Sequence, residues 1–412
     1  MPTNRSLSLA SLATPAALAA LLAAATATAA ERTFDQDVAF LRKHVELVLL
    51  QDAAGQARVA VVPAWQGRVM TSTAGGPSAA SYGWSNDALI ESHAVAPHMN
   101  ALGGEDRLWL GPEGGQFSIF FRKGEAFDLA HWQTPPAVDS EPWSVRASSA
   151  REVALRHQAR LVNYSGTVLD VQIDRTVRLL DQAAAAGLLA GPVPAGVRLV
   201  AYASENRLTN VGAAPWTKAG GLLSLWVLGM FKPSPATTIV VPYQDGTESA
   251  LGPIVNDAYF GKVPASRLLA RDGRLFFDGD GRYRSKIGLS PRRARPVLGS
   301  YDAAQHLFTI VSFELPAGAV DYVNSMWEIQ DQPFRGDAVN SYNDGPPAPG
   351  AKALGPFYEL ETSSPAAALA PGASLTHVHR TLHLEGDESA LDAIARRVLG
   401  VSLEKIKTAL PR

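Results

Sequence analysis

The stretch Asn100–Phe121, NALGGEDRLWLGPEGGQFSIFF, places charged and aromatic residues between two glycine pairs, which permit tight turns and close backbone approach. Those residues are Glu105, Arg107, Trp109 and Glu113. In an extended strand, alternation puts Glu105, Arg107 and Trp109 on one face. An arginine fork, carboxylate acceptors and a flat indole ring suit the hydroxyls and the apolar face of a sugar. The alternative is a core strand whose charges pair among themselves.

Two further loop-prone stretches, SYGWSN and NSMWEIQDQPFRGDAVN, carry side chains of the same kinds. Their candidate residues are Trp84 and Asn86 in the first, and Trp327 and Asp331 in the second. Loops held by a rigid scaffold are common places for binding sites. We therefore predict that these four residues join the first group in contacting a ligand.

The first 29 residues have the features of a secretory signal peptide. Arg5 precedes an Ala/Leu-rich run, and the small residues Ala27, Thr28 and Ala29 follow it. The apolar run is too short for a transmembrane helix, and no later stretch is long enough for one. We therefore predict cleavage after Ala29 or Ala30, export to the periplasm or the medium, and no membrane span.

The amino-acid composition limits the fold classes and partners that can be expected for the chain. The 412 residues carry a formal charge of −2 and no cysteine, so a nucleic-acid partner and a disulfide framework are not expected. The 35 glycines and 28 prolines indicate many short strands joined by turns. Strands and helices do not alternate in the way that a doubly wound parallel sheet requires. The sequence therefore predicts an all-β fold.

Helices are expected near both ends of the chain. Thr33–His44 has apolar residues at helical spacing, and Asp387 can cap a helix over Glu388–Leu399, followed by another over Ser402–Leu410. The run Ala183–Gly196 is interpreted as a low-complexity hairpin insertion. The predicted organisation is a signal peptide over 1–29, a β domain over 30–386 and a helical extension over 387–412 that packs on the same domain.

Phe357–Leu384, FYELETSSPAAALAPGASLTHVHRTLHL, resembles the last part of the aldose 1-epimerase (galactose mutarotase) superfamily. The shared features are a Leu-Glu-Thr step, a Pro-containing loop, a Leu-x-Pro-Gly turn and a final strand. Gly67–Val69, Tyr82–Trp84 and Gly103–Gly115 are similar to the motifs of a group of secreted bacterial proteins allied to that superfamily. The resemblance implies a galactose mutarotase-like two-sheet β super-sandwich. It departs at Asn100–Gly104, where the superfamily's histidine is missing.

The resemblance also implies that Glu361, in the Leu-Glu-Thr step, is a general base. Mutarotation needs such a base to take the anomeric hydroxyl proton and an acid to protonate the ring oxygen. Glu359 lies on the same strand face, so it can be the working residue or can raise the pKa of Glu361. His98, which leads into the Gly-Gly-Glu stretch, is the candidate acid.

No cofactor is predicted, although calcium or zinc stays possible in principle. On the final strand, His377 and His379 can share a metal, whereas His383 is too far along the strand to join them. The acidic runs Asp278–Asp280 and Asp321–Glu328 lack the spacing of a calcium loop.

The sequence therefore predicts an exported protein that binds a carbohydrate, with aldose epimerase-like acid–base catalysis as the leading activity. One alternative is a non-catalytic glycan-binding module of a polysaccharide-uptake system. Another is a glycoside hydrolase or lyase that uses the same cleft, since the separation of carboxylates cannot be deduced from sequence. The sequence does not determine the sugar or the oligomeric state.

Overall fold

Short runs of alternating apolar and polar residues, separated by glycine and proline turns, form most of the secondary structure. The structure is a computed structural model that describes residues 32–411, so the predicted signal peptide lies outside the described residues. Within that range the strands are β1 Val48–Gln51, β2 Arg58–Val62, β3 Arg68–Thr73, β4 Arg107–Gly111, β5 Ser144–Ser148, β6 Glu152–Val162, β7 Val168–Leu179, β8 Arg198–Asn210, β9 Ser224–Phe231, β10 Thr237–Pro242, β11 Leu268–Arg271, β12 Arg274–Asp278, β13 Ser285–Leu289, β14 Val297–Asp302, β15 Leu307–Phe313, β16 Val339–Asn343, β17 Tyr358–Ser363 and β18 Ser374–Glu385. The helices are α1 Phe34–Leu41, α2 Asp87–Ser92, α3 Gln182–Leu188, α4 Glu248–Leu251, α5 Glu388–Val398 and α6 Leu403–Lys407.

Among the described residues these strands make three sheets, and every pairing between named strands is antiparallel. A small sheet has the order β1-β2-β3. A ten-stranded sheet has the order β11-β12-β10-β14-β15-β18-β8-β7-β6-β5, and a five-stranded sheet has the order β13-β16-β17-β9-β4. The predicted all-β fold class is confirmed.

The two larger sheets pack face to face through a shared apolar core. Ile287 and Leu360 of the five-stranded sheet lie in one cluster with Ile239, Phe277 and Val311 of the ten-stranded sheet. Successive side chains in a strand point to opposite faces, so the residues between these apolar positions face away from the core. The five-stranded sheet therefore has one face in the core and one face free to build a site.

Helices cover the outer face of the ten-stranded sheet. Leu391 and Ile394 of α5 and Ile406 of α6 pack in one cluster with Val240 and Leu382 from the sheet. The helices predicted at both ends are confirmed. Ser402 caps α6 by accepting a hydrogen bond from the Lys405 amide, whereas Asp387 precedes α5 without a side-chain capping hydrogen bond. The boundaries predicted at residues 29 and 386 stay predictions.

The hairpin expected over Ala183–Gly196 is wrong, because this run begins with helix α3. Asp181 accepts a hydrogen bond from the Ala184 amide and caps the helix. Alanine has the highest helix propensity, and a good N-cap supplies the missing start signal. No helix within residues 32–411 combines the length and apolar character needed to cross a lipid bilayer.

Candidate functional site

A cleft of about 340 Å³ lies over the free face of the five-stranded sheet. That volume falls in the range of about 300–1,000 Å³ that small-molecule sites occupy. Its floor comes from alternate residues of β4, β9, β13, β16 and β17, and its rim comes from the loops around them. The side chains that line it and bear on chemistry are His98, Arg107, Trp109, Glu113, Trp132, Trp226, Arg284, Lys286, Trp327, Tyr342, Asp344, Lys352 and Glu359.

Arg107 and Glu359 form a buried hydrogen-bonded pair in the floor of the cleft. Arg107 Nη2 lies 2.9 Å from Glu359 Oε1, and both side chains are nearly inaccessible to solvent. Arg107 also stacks on the neighbouring indole, since its Cζ atom lies 4.3 Å from the Trp109 ring centroid. The guanidinium is therefore fixed by a carboxyl group and an aromatic face together.

The environment of Glu359 keeps its proton bound at neutral pH. Burial raises the pKa of Glu359 to about 8; Arg107 opposes that shift, and the nearby Glu361 adds to it. A carboxyl group that is protonated near pH 7 can donate a proton to a bound ligand, as a general acid must. Glu359 is thus suited to the acid role, which the sequence had suggested for His98.

Glu361 lies beneath the cleft and does not line it. Its side chain is fully buried, and its Oε2 atom accepts hydrogen bonds from Trp226 Nε1 at 2.9 Å and Lys286 Nζ at 3.0 Å. Its Oε1 atom is also buried and has no hydrogen-bond partner among the described residues. Trp226 and Lys286 both line the cleft, so they stand between Glu361 and any ligand in it.

Lys286 is the cation that holds this carboxylate. Burial lowers the pKa of Lys286, but the surrounding carboxylates, Glu361 foremost, raise it more, so that the net pKa lies above its usual value. Its Nζ atom also lies 4.7 Å from the Trp226 ring centroid. The ammonium group therefore stays charged at the end of the cleft formed by β13.

Glu113 supplies a second carboxyl group with an elevated pKa. It lines the cleft from the loop after β4, and burial raises its pKa, with Lys286 opposing the shift. Its backbone amide donates to Ser325 Oγ at 3.2 Å, which anchors the loop.

His98 lines the cleft in a defined tautomer. Its Nδ1 atom lies 2.7 Å from the carbonyl oxygen of Trp132. A carbonyl can only accept, so Nδ1 carries the hydrogen, and the Nε2 atom of the neutral ring has a free lone pair. The structure therefore suits His98 to accept a proton.

Tryptophan rings form a continuous wall on one side of the cleft. Trp109 lies edge-on to Trp226 with ring centroids 5.5 Å apart, and Trp132 stacks on Trp327 at 5.9 Å. Flat apolar rings next to charged hydrogen-bonding groups fit a ligand that has both an apolar face and hydroxyl groups.

Six of the residues predicted from sequence come together in the cleft: His98, Arg107, Trp109, Glu113, Trp327 and Glu359. The other five, Glu105, Trp84, Asn86, Asp331 and Glu361, do not line it. Trp84 packs behind the cleft against Phe357 at 4.8 Å between ring centroids. Asn86 caps α2 by accepting from the Leu89 amide, and Asp331 is exposed elsewhere on the surface.

Glu105 is the clearest correction, because it does not share a face with Arg107. It precedes β4, is fully buried, and accepts hydrogen bonds from the Ser72 amide at 2.6 Å and the Tyr202 hydroxyl at 3.0 Å. Its Oε2 atom also lies 3.1 Å from His383 Nε2. Burial raises the pKa of Glu105, but its bonds with His383, Ser72 and Tyr202 lower it more, so the net pKa is below its usual value.

The histidines of the final strand are buried within the fold. His377 Nε2 and His379 Nδ1 both contact Thr362 Oγ1, at 2.8 and 2.9 Å. Burial lowers the pKa of His377 to about 3 and that of His379 to about 4, so both rings are neutral. In the part of the chain that the structure describes, no three His, Cys, Asp or Glu side chains are arranged to hold a metal ion.

Sequence reasoning missed seven of these cleft residues: Trp132, Trp226, Arg284, Lys286, Tyr342, Asp344 and Lys352. Lys286 carried a usable signal, since it is a lysine inside the otherwise apolar strand SKIGL. Trp226 carried none, because a tryptophan in an apolar run is indistinguishable from a core residue.

Residues 32–410 match a family described as "Family of unknown function (DUF6786)". No curated protein matches the chain. The Slr1438 protein from Synechocystis sp. PCC 6803 has a similar solved structure, with 13% identity over 83% of this chain and 96% of that chain and a TM-score of 0.50. At that identity the likeness is one of fold.

Two further similar solved structures are of mutarotase-like proteins. One is a galactose mutarotase-like protein from Lactobacillus casei ATCC 334, with 10% identity over 82% of this chain and 100% of that chain and a TM-score of 0.45. The other is a galactose mutarotase related enzyme from Lactobacillus acidophilus, with 8% identity over 82% and 97% of the two chains and a TM-score of 0.46.

Proposed function

The chain belongs to the DUF6786 family, and we propose that it binds a carbohydrate in the cleft of the five-stranded sheet and interconverts the anomers of an aldose. Aromatic walls, fixed charges and a protonated carboxyl group support this function together. The rings cover the apolar face of a sugar, and the charged groups bind its hydroxyls.

The observation that carries the catalytic part is the buried carboxyl group of Glu359 in the floor of the cleft beside Arg107, where burial raises its pKa. In the proposed step, His98 Nε2 takes the proton of the anomeric hydroxyl while Glu359 gives its proton to the ring oxygen. The bond between the anomeric carbon and the ring oxygen breaks, which leaves the open-chain aldehyde. After rotation of the aldehyde, the reverse transfers close the ring and restore both residues.

The first test is a thermal-shift panel of mono- and oligosaccharides, followed by NMR measurement of anomer exchange on a sugar that binds. We expect Glu359→Gln to reduce exchange by about 100-fold or more, because proton transfer by one positioned group contributes about that factor. Sugar affinity should change little, since the amide keeps the shape of the side chain and an oxygen for Arg107.

Asp331→Asn is the matched control, because this exposed carboxylate lies outside the cleft, and it should leave exchange unchanged. If Glu361 is the base instead, as the resemblance implies, then Glu361→Gln will abolish exchange while Glu359→Gln retains it. That result would refute the assignment made here.

A non-catalytic glycan-binding protein is the second candidate, and the position of Glu361 favours it. The residue that corresponds to a superfamily's base is covered by Trp226 and Lys286 and does not meet the cleft. This candidate predicts that a sugar binds in a Trp109-dependent way while the wild-type protein shows no anomer exchange above the solvent rate.

We also propose that the protein is exported. The support is the charged start, the Ala/Leu-rich run and the small residues before position 30 in the sequence.

A further inference from the structure

The cleft contains more cationic groups than its carboxyl groups neutralise. Its four cations are Arg107, Arg284, Lys286 and Lys352. Arg107 pairs with Glu359 at 2.9 Å, and Lys286 pairs with Glu361 at 3.0 Å. The other two have no carboxylate within 4.0 Å among the described residues, and they lie towards the rim of the cleft.

Arg284 is held in place by aromatic groups rather than by a carboxylate. Its Cζ atom lies 3.9 Å from the centroid of the Phe260 ring, and its side chain also interacts with the Tyr342 hydroxyl. It is only partly exposed. A guanidinium that stacks on a ring in the lining of a cavity is suited to bind a planar anion.

Asp344 is the carboxyl group near Arg284, but its oxygens are engaged elsewhere. Oδ1 accepts from the Tyr342 hydroxyl at 2.8 Å, and Oδ2 accepts from the Gly355 amide at 2.9 Å. Lys352 lies on the exposed loop between these positions. Arg284 and Lys352 therefore both line the cleft without a carboxylate partner within 4.0 Å among the described residues.

Burial disfavours the charged form of the carboxyl groups in the cleft. Burial raises the pKa of Glu113, Asp344 and Glu359 alike. Cations in a partly dry cavity attract a negative group more strongly than they would in open water.

We infer that the carbohydrate taken by this cleft is an acidic sugar, whose anionic group binds to Arg284 and Lys352. This inference rests on the proposed carbohydrate-binding function and adds the chemical class of the sugar. A planar carboxylate accepts two parallel hydrogen bonds from a guanidinium fork, so a uronic acid fits the site best. Sulfated and phosphorylated sugars share the required charge.

The test measures binding by calorimetry at low ionic strength with six probes on the mature protein. The neutral probes are glucose and galactose, the carboxylate probes are glucuronate and galacturonate, and the other anions are glucose 6-sulfate and glucose 6-phosphate. We expect a uronate to bind about tenfold more tightly than its neutral parent, because hydrogen bonds to charged groups are about twice as strong as neutral ones. If glucose 6-sulfate or glucose 6-phosphate binds more tightly than glucuronate, the anionic group that the site prefers is that sulfate or phosphate and not a carboxylate.

The variant Arg284→Gln should abolish the preference for the acidic sugar, so that glucuronate binds no more tightly than glucose. Arg282→Gln is the matched control, since this exposed arginine lies two residues earlier and does not line the cleft. If Arg284→Gln fails to fold, Lys352→Gln, on an exposed loop, should still weaken the preference severalfold.

Two outcomes overturn the inference and are distinguishable. Equal binding of uronate and neutral sugar, with or without Arg284→Gln, refutes the acidic class while the carbohydrate function stands. Binding of none of the six probes refutes the acidic monosaccharide together with the carbohydrate function proposed for the cleft.

Discussion

Glu359 shows how one residue's surroundings determine its chemistry. Glutamate residues are mostly found at protein surfaces, but Glu359 lies in the floor of the cleft beside Arg107 and near Glu361. Desolvation disfavours its charged form, and the second carboxylate disfavours it further. Arg107 does not overcome these two effects, so the proton stays bound through neutral pH.

This elevated pKa makes the stability of the protein depend on pH. The folded state holds the Glu359 proton up to about pH 8, whereas the unfolded chain releases it near pH 4.5. Between those values the folded state binds more protons, so this group stabilises the fold most at low pH and its contribution is lost as pH rises towards 8. Glu359→Gln removes the titration.

We expect the stability of the wild type relative to Glu359→Gln to fall by about 2 kcal/mol between pH 5 and pH 8, because each unit of pKa shift corresponds to about 1.4 kcal/mol and relaxation lessens the full effect. Urea denaturation at pH 5, 6.5, 8 and 9 measures the difference. A wild-type curve that runs parallel to that of the variant would show that Glu359 has no elevated pKa.

At the scale of elements, the residues that lead into β4 position the site. Glu105 bonds to β3, β8 and β18, and Asp106 forms a fully buried ion pair with Arg175 of β7, with Oδ1 2.6 Å from Nη2. Arg107 then turns into the cleft. Two buried acidic residues thus fix the start of the strand whose next residue, Arg107, lines the cleft.

Removing the partner of Asp106 should therefore destabilise the whole fold. We expect Arg175→Met to cost about 3–5 kcal/mol, because it leaves a carboxylate buried without its counter-charge. Arg178→Gln, three residues later on the same strand, breaks an exposed pair with Glu152 and should cost less than about 1 kcal/mol. Equal losses in chemical denaturation would show that burial of the Asp106–Arg175 pair has no special role.

At the scale of the whole molecule, the two larger sheets have different structural roles. The ten-stranded sheet carries the core and the helices, and the five-stranded sheet offers a face to ligands. An exported location would bring that cleft into contact with extracellular or periplasmic sugars, in keeping with the proposed function.

Export itself has a direct test. Full-length protein produced in a Gram-negative host should be recovered from the periplasm or the medium, and its intact mass should lack the first 29 or 30 residues. Deletion of residues 2–29 should retain a folded protein in the cytoplasm. An intact first residue on protein from the cytoplasm of cells that express the full chain would contradict the proposal.

The sequence by itself determined the features that depend on local pattern. Alternation assigned Glu105, Arg107 and Trp109 to one face of a strand and Glu359 and Glu361 to one face of another. The assignments hold for Arg107, Trp109, Glu359 and Glu361, but not for Glu105. Turn residues and composition predicted the all-β class, and capping residues predicted the terminal helices. The hairpin expected after Asp181 failed because helix propensity outweighed the low-complexity interpretation.

Only the tertiary structure decided which strand faces line the cleft and which residues of neighbouring strands contact one another there. Arg107 and Glu359 are 252 residues apart in the chain, and they touch because β9 lies between β4 and β17 in the sheet. Side chains alternate between the two faces of a strand with a period of two residues, which sets their relative faces. This alternation does not determine the order of strands in the sheet, which depends on packing across the whole core. For that reason Glu105 belongs to the interior and Lys286 belongs to the cleft.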